Sequence, residues 1–248
     1  MRGTQFVFLI PAYNCKDTIK QTMMSMFAQS YDDWRAVFID DVSTDNTGEY
    51  ILELAKKFGY EKRITVTRRE EKYGEVRNTI EELKFIAPQE IVVRLDGGDW
   101  LTENDTLAIL SEIYKDKEVD VCWTAQRWAF TNYNISGNIK LETYGYKTVY
   151  EHPWVSSHLK TFRASALKKV CDKNFFDDEG NWIMIACDQA VFLPMMHLAT
   201  KENRKLVFLP LVCYHYNIDL SKPDLFTEDR SIKQKNSAEW IRSRGYVE

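Results

Sequence analysis

The sequence predicts an α/β fold in which a mostly parallel central sheet is flanked by helices. Three observations carry that prediction. Strand-like and helix-like patterns alternate from residue 6 to residue 101, the signature of strand–helix–strand units joined by right-handed crossovers. The strand-like runs are short, continuous and apolar, as expected of strands covered on both faces. Three of their exits are polar or acidic, at Tyr13, at Asp40-Asp41 and at Asp96 to Asp99. Ligands of such sheets sit beyond the carboxyl ends of the strands, so these side chains should share one edge.

Phe6 to Ile10 is the first apolar run, ended by Pro11-Ala12-Tyr13-Asn14. A helix capped by Asp17 or Thr18 should follow, with Ile19, Met23, Met26 and Phe27 on one face. Trp34 to Ile39 reads as the second strand, and Ser43 to Asn46 offer caps for a helix carrying Ile51, Leu54, Ala55 and Phe58. Gly59 supplies its stop. Ile64 to Thr67 is a third strand and Glu75 to Ile86 a third helix, halted by Pro88. Ile91 to Leu95 is β-branched and apolar apart from Arg94, whose stem is expected to snorkel. Beyond it the alternation fades. Asn104 or Thr106 opens a helix with Leu107, Leu110 and Tyr114 on one face, and Val119 to Thr124 reads as a strand. Residues 131–153 are aromatic and polar without a period, and suit irregular loops forming a binding wall. Gln189 to Ala199 is helix-like.

The chain has 248 residues, of which 44% are hydrophobic and 28% charged, with a formal net charge of -4. That length supports one large domain with a full core. The weak acidity argues against a nucleic-acid surface, which needs clustered Lys and Arg. Five scattered cysteines (Cys15, Cys122, Cys171, Cys187 and Cys213) form no C-x-x-C pair, as expected of reduced thiols. The first strand begins too early for a signal peptide, and no apolar run approaches the roughly 20 residues of a membrane span. A cytoplasmic location is therefore expected.

The stretch Ile91-Val-Val-Arg-Leu-Asp-Gly-Gly-Asp-Trp-Leu101 organises the rest. Two glycines let the backbone turn sharply, and the flanking Asp96 and Asp99 offer hard oxygen ligands for a divalent cation that also holds phosphate. Taken alone, the same residues suit a solvated turn. Together with Phe8-Leu-Ile-Pro-Ala-Tyr-Asn14, Phe38-Ile-Asp-Asp-Val-Ser-Thr-Asp-Asn-Thr47 and Arg77-Asn78, however, the stretch resembles the family 2 glycosyltransferases of GT-A fold in order and spacing. Ser157-His-Leu-Lys-Thr-Phe-Arg163, Cys187-Asp-Gln-Ala-Val-Phe-Leu-Pro-Met-Met196 and Tyr214-His-Tyr-Asn217 are similar to a subgroup met in viruses and bacteria. The resemblance extends to about Pro223.

That resemblance implies a GT-A, or nucleotide-diphospho-sugar transferase, fold in a single domain over residues 1–248. Residues 1–101 would bind the nucleotide sugar, residues 102–223 the acceptor, and residues 224–248 would form a helical tail. Pro11, Ala12, Tyr13 and Asn14 match the first donor loop, and Asp41 matches an aspartate that accepts a hydrogen bond from the base. Arg77 matches an arginine near ribose and diphosphate, where its donor fork suits phosphate. Asp96 and Asp99 match the metal motif, and Asp96 counts among the donor-binding residues as well. His215 stands where a late ligand to the metal or the diphosphate is often found. Asp188 matches the catalytic aspartate. Mn²⁺ or Mg²⁺ is the implied cofactor, and a nucleoside-diphosphate sugar, with a UDP-sugar first among candidates, the implied donor. Two departures stand out: Gly98 replaces a carboxylate of the Asp-x-Asp-Asp form, and Cys187 replaces the glutamate before Asp188. Either Asp99 compensates for Gly98, or metal binding is weak or dispensable. On that reasoning Gly98→Asp should tighten Mn²⁺ binding.

Bland readings stand beside several of these residues. Asp188 is also a good helix N-cap. His215 suits packing between Tyr214 and Tyr216, and His197 lies among Met and Leu in a helix. His158 and Trp154 are acceptor-side candidates, although tryptophans such as Trp154 and Trp182 are more often core. The expected function is inverting transfer of a hexose or deoxyhexose to a glycan hydroxyl, with metal assistance and Asp188 as general base. A sugar nucleotidyltransferase is one alternative, but Pro11-Ala-Tyr-Asn14 lacks the Gly-rich, basic loop that chemistry requires. A binding module with lapsed catalysis is the other.

Overall fold

The computed structural model describes residues 3–129, 131–218 and 227–248. The expected alternation holds through the first hundred residues: β1 (Phe6–Ala12), α1 (Lys16–Phe27), β2 (Trp34–Asp40), α2 (Thr47–Phe58), β3 (Ile64–Arg68), α3 (Gly74–Leu83) and β4 (Ile91–Arg94). Next come β5 (Trp100–Leu101), α4 (Thr106–Ile113), β6 (Val119–Trp128), the short α5 (Leu141–Tyr144), β7 (Lys160–Arg163) and α6 (Ala164–Lys168). A 3₁₀ turn at Asp172–Phe175 leads to α7 (Cys187–Lys201), β8 (Lys205–Tyr216) and α8 (Glu228–Arg244). Within the stretch expected as a helical tail, α8 occupies Glu228–Arg244, and residues 224–226 lie outside the described residues.

Among the described residues the sheet has eight strands in the order β3-β2-β1-β4-β7-β6-β8-β5. β1 pairs in parallel with β2 and β4, and β2 with β3. Beyond β4 the sheet is mixed: β7 runs antiparallel to both β4 and β6, β8 is parallel to β6, and β5 is antiparallel to β8. The all-parallel pattern suggested by the first half thus stops at β4, where β7 arrives without a crossover helix and inverts the direction.

Side chains alternate across each strand. Val7, Leu9, Val92 and Phe162 face α3 and α7, where Val76, Leu83, Phe192 and Met195 are buried. Phe6, Phe8, Ile10 and Val93 face α1 and α2, against Ile19, Met23 and Ile51. Each fully buried side chain of this size contributes about 1.5–3 kcal/mol of transfer free energy. Packing on both faces therefore leaves the carboxyl ends of β1, β2 and β4 as the accessible edge.

Candidate active site

The loop after β1 and the loop after β2 are tied to each other by side chain–backbone hydrogen bonds. Asp45 Oδ2 accepts from Lys16 N at 3.0 Å, and Asp45 Oδ1 from Thr47 N at 2.9 Å and Thr47 Oγ1 at 2.5 Å. Thr47 Oγ1 accepts in turn from Cys15 N at 3.0 Å. The start of α1 is therefore held by residues of the next loop; neither Asp17 nor Thr18, the caps expected from the sequence, caps it. Burial raises the energy of a charged Asp45, but its bonds to Thr47 and Lys16 win and lower its pKa. Asn14, in a left-handed conformation, accepts from Thr44 N through Oδ1 at 2.8 Å and donates its own N–H to Ser43 Oγ at 3.0 Å.

Asp40 and Asp41 divide their work. Asp40 Oδ1 accepts from Ser43 N at 2.9 Å. The buried Asp41 carboxylate accepts from Tyr73 N at 2.9 Å and Gly74 N at 3.0 Å, two amides that begin α3. A helix leaves its first N–H groups without intrahelical partners, and Asp41 satisfies two of them from a distant strand end. Tyr13 is half exposed, with Lys72 Nζ 3.1 Å above its ring centre, and Lys72 Nζ also lies 3.8 Å from Asp41 Oδ2. The Arg77 guanidinium lies 3.4 Å from the centre of the Tyr73 ring. Pro11 O and Ala12 O accept from Gly97 N and Asp41 N, each at 3.0 Å. Pro11, Ala12, Tyr13, Asn14, Asp41 and Arg77 thus gather along one edge.

The turn after β4 depends on its glycines. A Cβ on Gly97 would fall 2.8 Å from Pro11 O, and one on Gly98 would fall 2.9 Å from Thr18 Oγ1. Gly98 also has φ +108°, a conformation L side chains rarely adopt. Gly98 thus suits a backbone conformation that an aspartate would adopt only under strain, so any tighter metal binding expected of Gly98→Asp comes at a cost in folding.

Beside this turn lies a cluster of charges that local pattern did not indicate. Arg94 and Lys160 are register partners on β4 and β7. Both are buried, so each must be paired. Arg94 Nη2 lies 2.5 Å from Glu75 Oε1 on α3 and 3.7 Å from Asp96 Oδ1, while Nη1 donates to Thr79 Oγ1 at 3.3 Å. Arg94 does not snorkel. Lys160 Nζ lies 2.5 Å from Asp188 Oδ1 at the start of α7. Burial disfavours the charged form of Asp188, but Lys160, and then the neighbouring His158 and Arg94, hold its pKa down to about 2. Burial acts the other way on Glu75, pushing it up to about 7 against the pull of Arg94. A third of the Glu75 side chain meets solvent, which tempers that push.

Asp188 does not cap α7. The helix starts at Cys187, its N-cap position is Ala186, and no side chain caps it. The carboxylate turns inward to Lys160 instead, with 30% of its side chain exposed.

The buried Asp99 accepts from Tyr214 Oη at 2.5 Å and from Asn217 N at 2.9 Å. Burial, and then the charge of Asp96, push its carboxyl up to about 8. Asp96 is more open, with 37% of its side chain exposed. The His215 ring stacks on Trp100, its partner across β5 and β8, with centroids 4.1 Å apart. His158 is buried and stacked on Tyr214 at 4.6 Å, and burial, then Lys160, push its pKa down to about 4. Trp154 is partly buried against the core on the α3 and α7 side. His197 stacks on Tyr246, a packing role.

The sequence profile described as Glycosyl transferase family 2 matches residues 7–175, from β1 through the 3₁₀ turn. The chain belongs to that family. Among curated relatives, the chondroitin synthase of Pasteurella multocida (strain Pm70) is 28% identical over 137 residues, which is 55% of this chain and 13% of the relative. The putative teichuronic acid biosynthesis glycosyltransferase TuaG of Bacillus subtilis (strain 168) is 35% identical over 66 residues, 27% of this chain and 25% of the relative. These matches span a small part of the relatives' length. Two solved structures show the shared GT-A fold. S. aureus TarS (residues 1–349, in complex with UDP) superposes with a TM-score of 0.62 at 19% identity, covering 99% of this chain and 67% of that one. The mannosyltransferase PcManGT from Pyrobaculum calidifontis, in complex with GDP-Man and Mn²⁺, does so with a TM-score of 0.64 at 15% identity, covering 97% and 70%.

Glycosyltransferases of GT-A fold commonly use a divalent ion, as the Mn²⁺ bound to PcManGT illustrates. Among the described residues of this family 2 chain, no three His, Cys, Asp or Glu side chains are grouped to hold one. Asp99 is engaged by Tyr214 and Asn217, His215 lies flat on Trp100, and position 98 has no side chain. That leaves Asp96 as the open carboxylate of the motif. One carboxylate together with substrate phosphates is a donor set that suits Mg²⁺ or Mn²⁺, which seldom need an all-protein cage.

The functional candidates that sequence reasoning missed are Glu75, Arg94 and Lys160. Arg94 carried a signal, because a charge inside a β-branched run demands a partner. Lys160 lay within the quoted Ser157 to Arg163 stretch but stood out in no periodic pattern.

Proposed function

We propose that this chain is an inverting glycosyltransferase that moves a sugar from a nucleoside-diphosphate sugar to a glycan hydroxyl, with Asp188 as general base. The observation that carries the reading is the Asp188 carboxylate itself. It is held ionised, keeps 30% of its side chain exposed, and lies within electrostatic reach of the same Glu75 and His158 as Asp96. In the reaction the acceptor oxygen attacks the anomeric carbon opposite the diphosphate and its proton passes to Asp188. The bond from the anomeric carbon to the diphosphate breaks, and its electron pair leaves with the nucleoside diphosphate. Attack from that side inverts the anomeric centre.

Tyr13 offers an exposed ring for the base, and Asn14 and Asp41 shape the loop beneath it. Arg77 and Lys72 supply positive charge along the same edge. TarS has been crystallised with UDP and with UDP-GlcNAc, and PcManGT with GDP-Man. A UDP-sugar is the donor we propose. Asp96 would hold Mn²⁺ or Mg²⁺ together with the diphosphate, and such an ion offsets negative charge on a leaving diphosphate. His158 and Trp154 are the proposed acceptor-side residues. The core clusters draw on residues from Phe6 to Ile241, which supports a single domain over residues 1–248. No helix among the described residues is long and apolar enough to cross a membrane. Cys122, Cys171, Cys187 and Cys213 carry free thiols, which supports a cytoplasmic setting.

A panel of UDP- and GDP-sugars tested by thermal shift, followed by release of nucleoside diphosphate with glycan acceptors, checks this reading. A donor at 100 times its Kd should stabilise the protein by about 2.7 kcal/mol. A panel with no stabilising ligand and no release would remove the assignment. Calorimetric titration of Mn²⁺ should show tighter binding when nucleoside diphosphate is present, and Asp96→Asn should erase that increment. Equal Mn²⁺ affinity with and without the nucleotide would rule out the shared site.

A further inference from the structure

Lys160 is 1% exposed, and its neighbours are the Phe192 ring, 5.2 Å from Nζ, and the Asp188 carboxylate. Among the described residues no other acceptor satisfies the ammonium. A buried cation with one carboxylate partner is costly unless the pair does something an apolar side chain could not. Phe192 shows that apolar packing is available at this position.

We propose that Lys160 is the positioning residue of the site: it fixes Asp188 through Oδ1, presents Oδ2 to the acceptor hydroxyl, and supplies the counter-charge that this carboxylate needs. The proposal rests on the reading of Asp188 as base. The geometry separates the two carboxylate oxygens. Oδ1 faces Lys160 at 2.5 Å, while Oδ2 accepts no hydrogen bond among the described residues and the side chain stays partly exposed. Lys160 opens β7, whose register places that residue beside Arg94, so both cations enter the site from neighbouring strands. Their carboxylates come from the starts of two helices, Glu75 from α3 and Asp188 from α7. A helix N-terminus also favours an anion, which adds to the hold on Asp188.

The other charged or titratable groups facing the pair are Glu75 on α3, Arg94 at the end of β4, Asp96 in the following turn, His158 just before β7, Cys187 on α7 and Tyr216 at the end of β8. His158 is neutral at neutral pH and Arg94 has Glu75 and Asp96 as partners. Lys160 is thus the group that counters the cost of burying the Asp188 charge.

Carboxyl ¹³C NMR titration of wild type, Lys160→Met and Lys160→Arg reads this directly, with Asp188→Asn identifying the resonance. Asp188 should titrate near pH 2 in the wild type, about 1–3 pH units higher in Lys160→Met, and low again in Lys160→Arg. The pH profile of nucleoside diphosphate release, measured with the donor that the panel selects, should lose its acid side at a correspondingly higher pH in Lys160→Met, with donor KM unchanged. A merely structural lysine would lower the melting temperature of Lys160→Met and leave the acid side of the activity profile where it is. If Asp188 titrates at an ordinary carboxylate pH in the wild type, the proposal is overturned without any variant, so poor folding of Lys160→Met cannot shield it. An Asp188→Asn protein that stays fully active rejects Asp188 as base. An inactive Asp188→Asn protein combined with an unmoved Asp188 titration in Lys160→Met rejects the role of Lys160 alone.

Discussion

The carboxylates at and after β2 and those around β4 and β7 look alike as residue types, yet their nearest partners differ. These are backbone amides for the first group, with Lys72 farther off at 3.8 Å from Asp41, and side-chain cations for the second. Asp40, Asp41 and Asp45 accept from backbone N–H groups of Ser43, Tyr73, Gly74, Lys16 and Thr47. Glu75, Asp96 and Asp188 face the side-chain cations of Arg94 and Lys160. A backbone amide cannot lose a proton or move away without unravelling the chain, so the first group sets shape. An ammonium or guanidinium pair responds to whatever charge arrives beside it, so the second group sets electrostatics. The same division separates the Gly97-Gly98 turn, fixed by backbone approach to Pro11 and Thr18, from the paired cations one strand away.

That contrast breaks if a variant in the shaping region alters chemistry alone, or a variant in the charged region alters folding alone. The largest expected effect is that of Asp188→Asn. Its transfer rate should fall by about 10²–10⁴-fold while donor affinity barely changes, because a general base acts in the transition state. Asparagine keeps an oxygen for the buried Lys160 ammonium but removes its counter-charge, so the melting temperature should fall as well; a protein that transfers at wild-type rate would sink the base assignment. Next comes Gly98→Asp, which should destabilise the fold by about 3 kcal/mol through backbone strain and the approach to Thr18. Urea unfolding measures it, and unchanged stability with tighter Mn²⁺ binding would restore the simpler view of a missing ligand.

Asp41→Ala should cost about 1–3 kcal/mol of stability, because two amides at the start of α3 lose their acceptor. Nucleotide affinity should fall in the same protein. Asp41→Asn, which keeps an acceptor oxygen, should recover part of the stability; calorimetry and melting on both variants separate the shaping role from contact with the base. The smallest effect concerns His158. Its folded pKa, about 4, lies below its unfolded value near 6.5. The unfolded chain therefore binds more protons between those values, and stability is lost as pH falls from about 6.5 to about 4. His158→Phe, which keeps a ring against Tyr214, should flatten the melting curve against pH in that window and leave it unchanged above pH 7. An identical slope in both proteins would assign the acid sensitivity elsewhere.

Much of the first half was legible before any coordinates. The continuous apolar run of β1, the helical period of α2 and the stop at Gly59 are local properties, and short segments encode them directly. The common edge of Tyr13, Asp40, Asp41 and Asp96 followed from a topological rule for parallel sheets. The special standing of Asp188 came from the resemblance, since its residue type alone suited a cap equally well. The caps of α1 and α3 were misplaced or missed because Asp45 and Asp41 act across more than 25 residues of chain. β7 was not anticipated as a strand because its four residues mix two cations with two uncharged side chains, which gives no apolar run.

By itself, then, the sequence determined the strand and helix alternation of residues 6–101, the family motifs and the acidic strand exits, all of which depend on neighbours along the chain. Only the tertiary structure decided that Lys160 meets Asp188, that Arg94 meets Glu75, and that Asp99 is engaged by Tyr214 and Asn217. Those pairings depend on the register of β4 against β7 and on how far each group is taken from water. Register is set by long-range strand pairing, and the ionisation of a carboxylate by the burial and counter-charge around it; neither is encoded in the residues on either side.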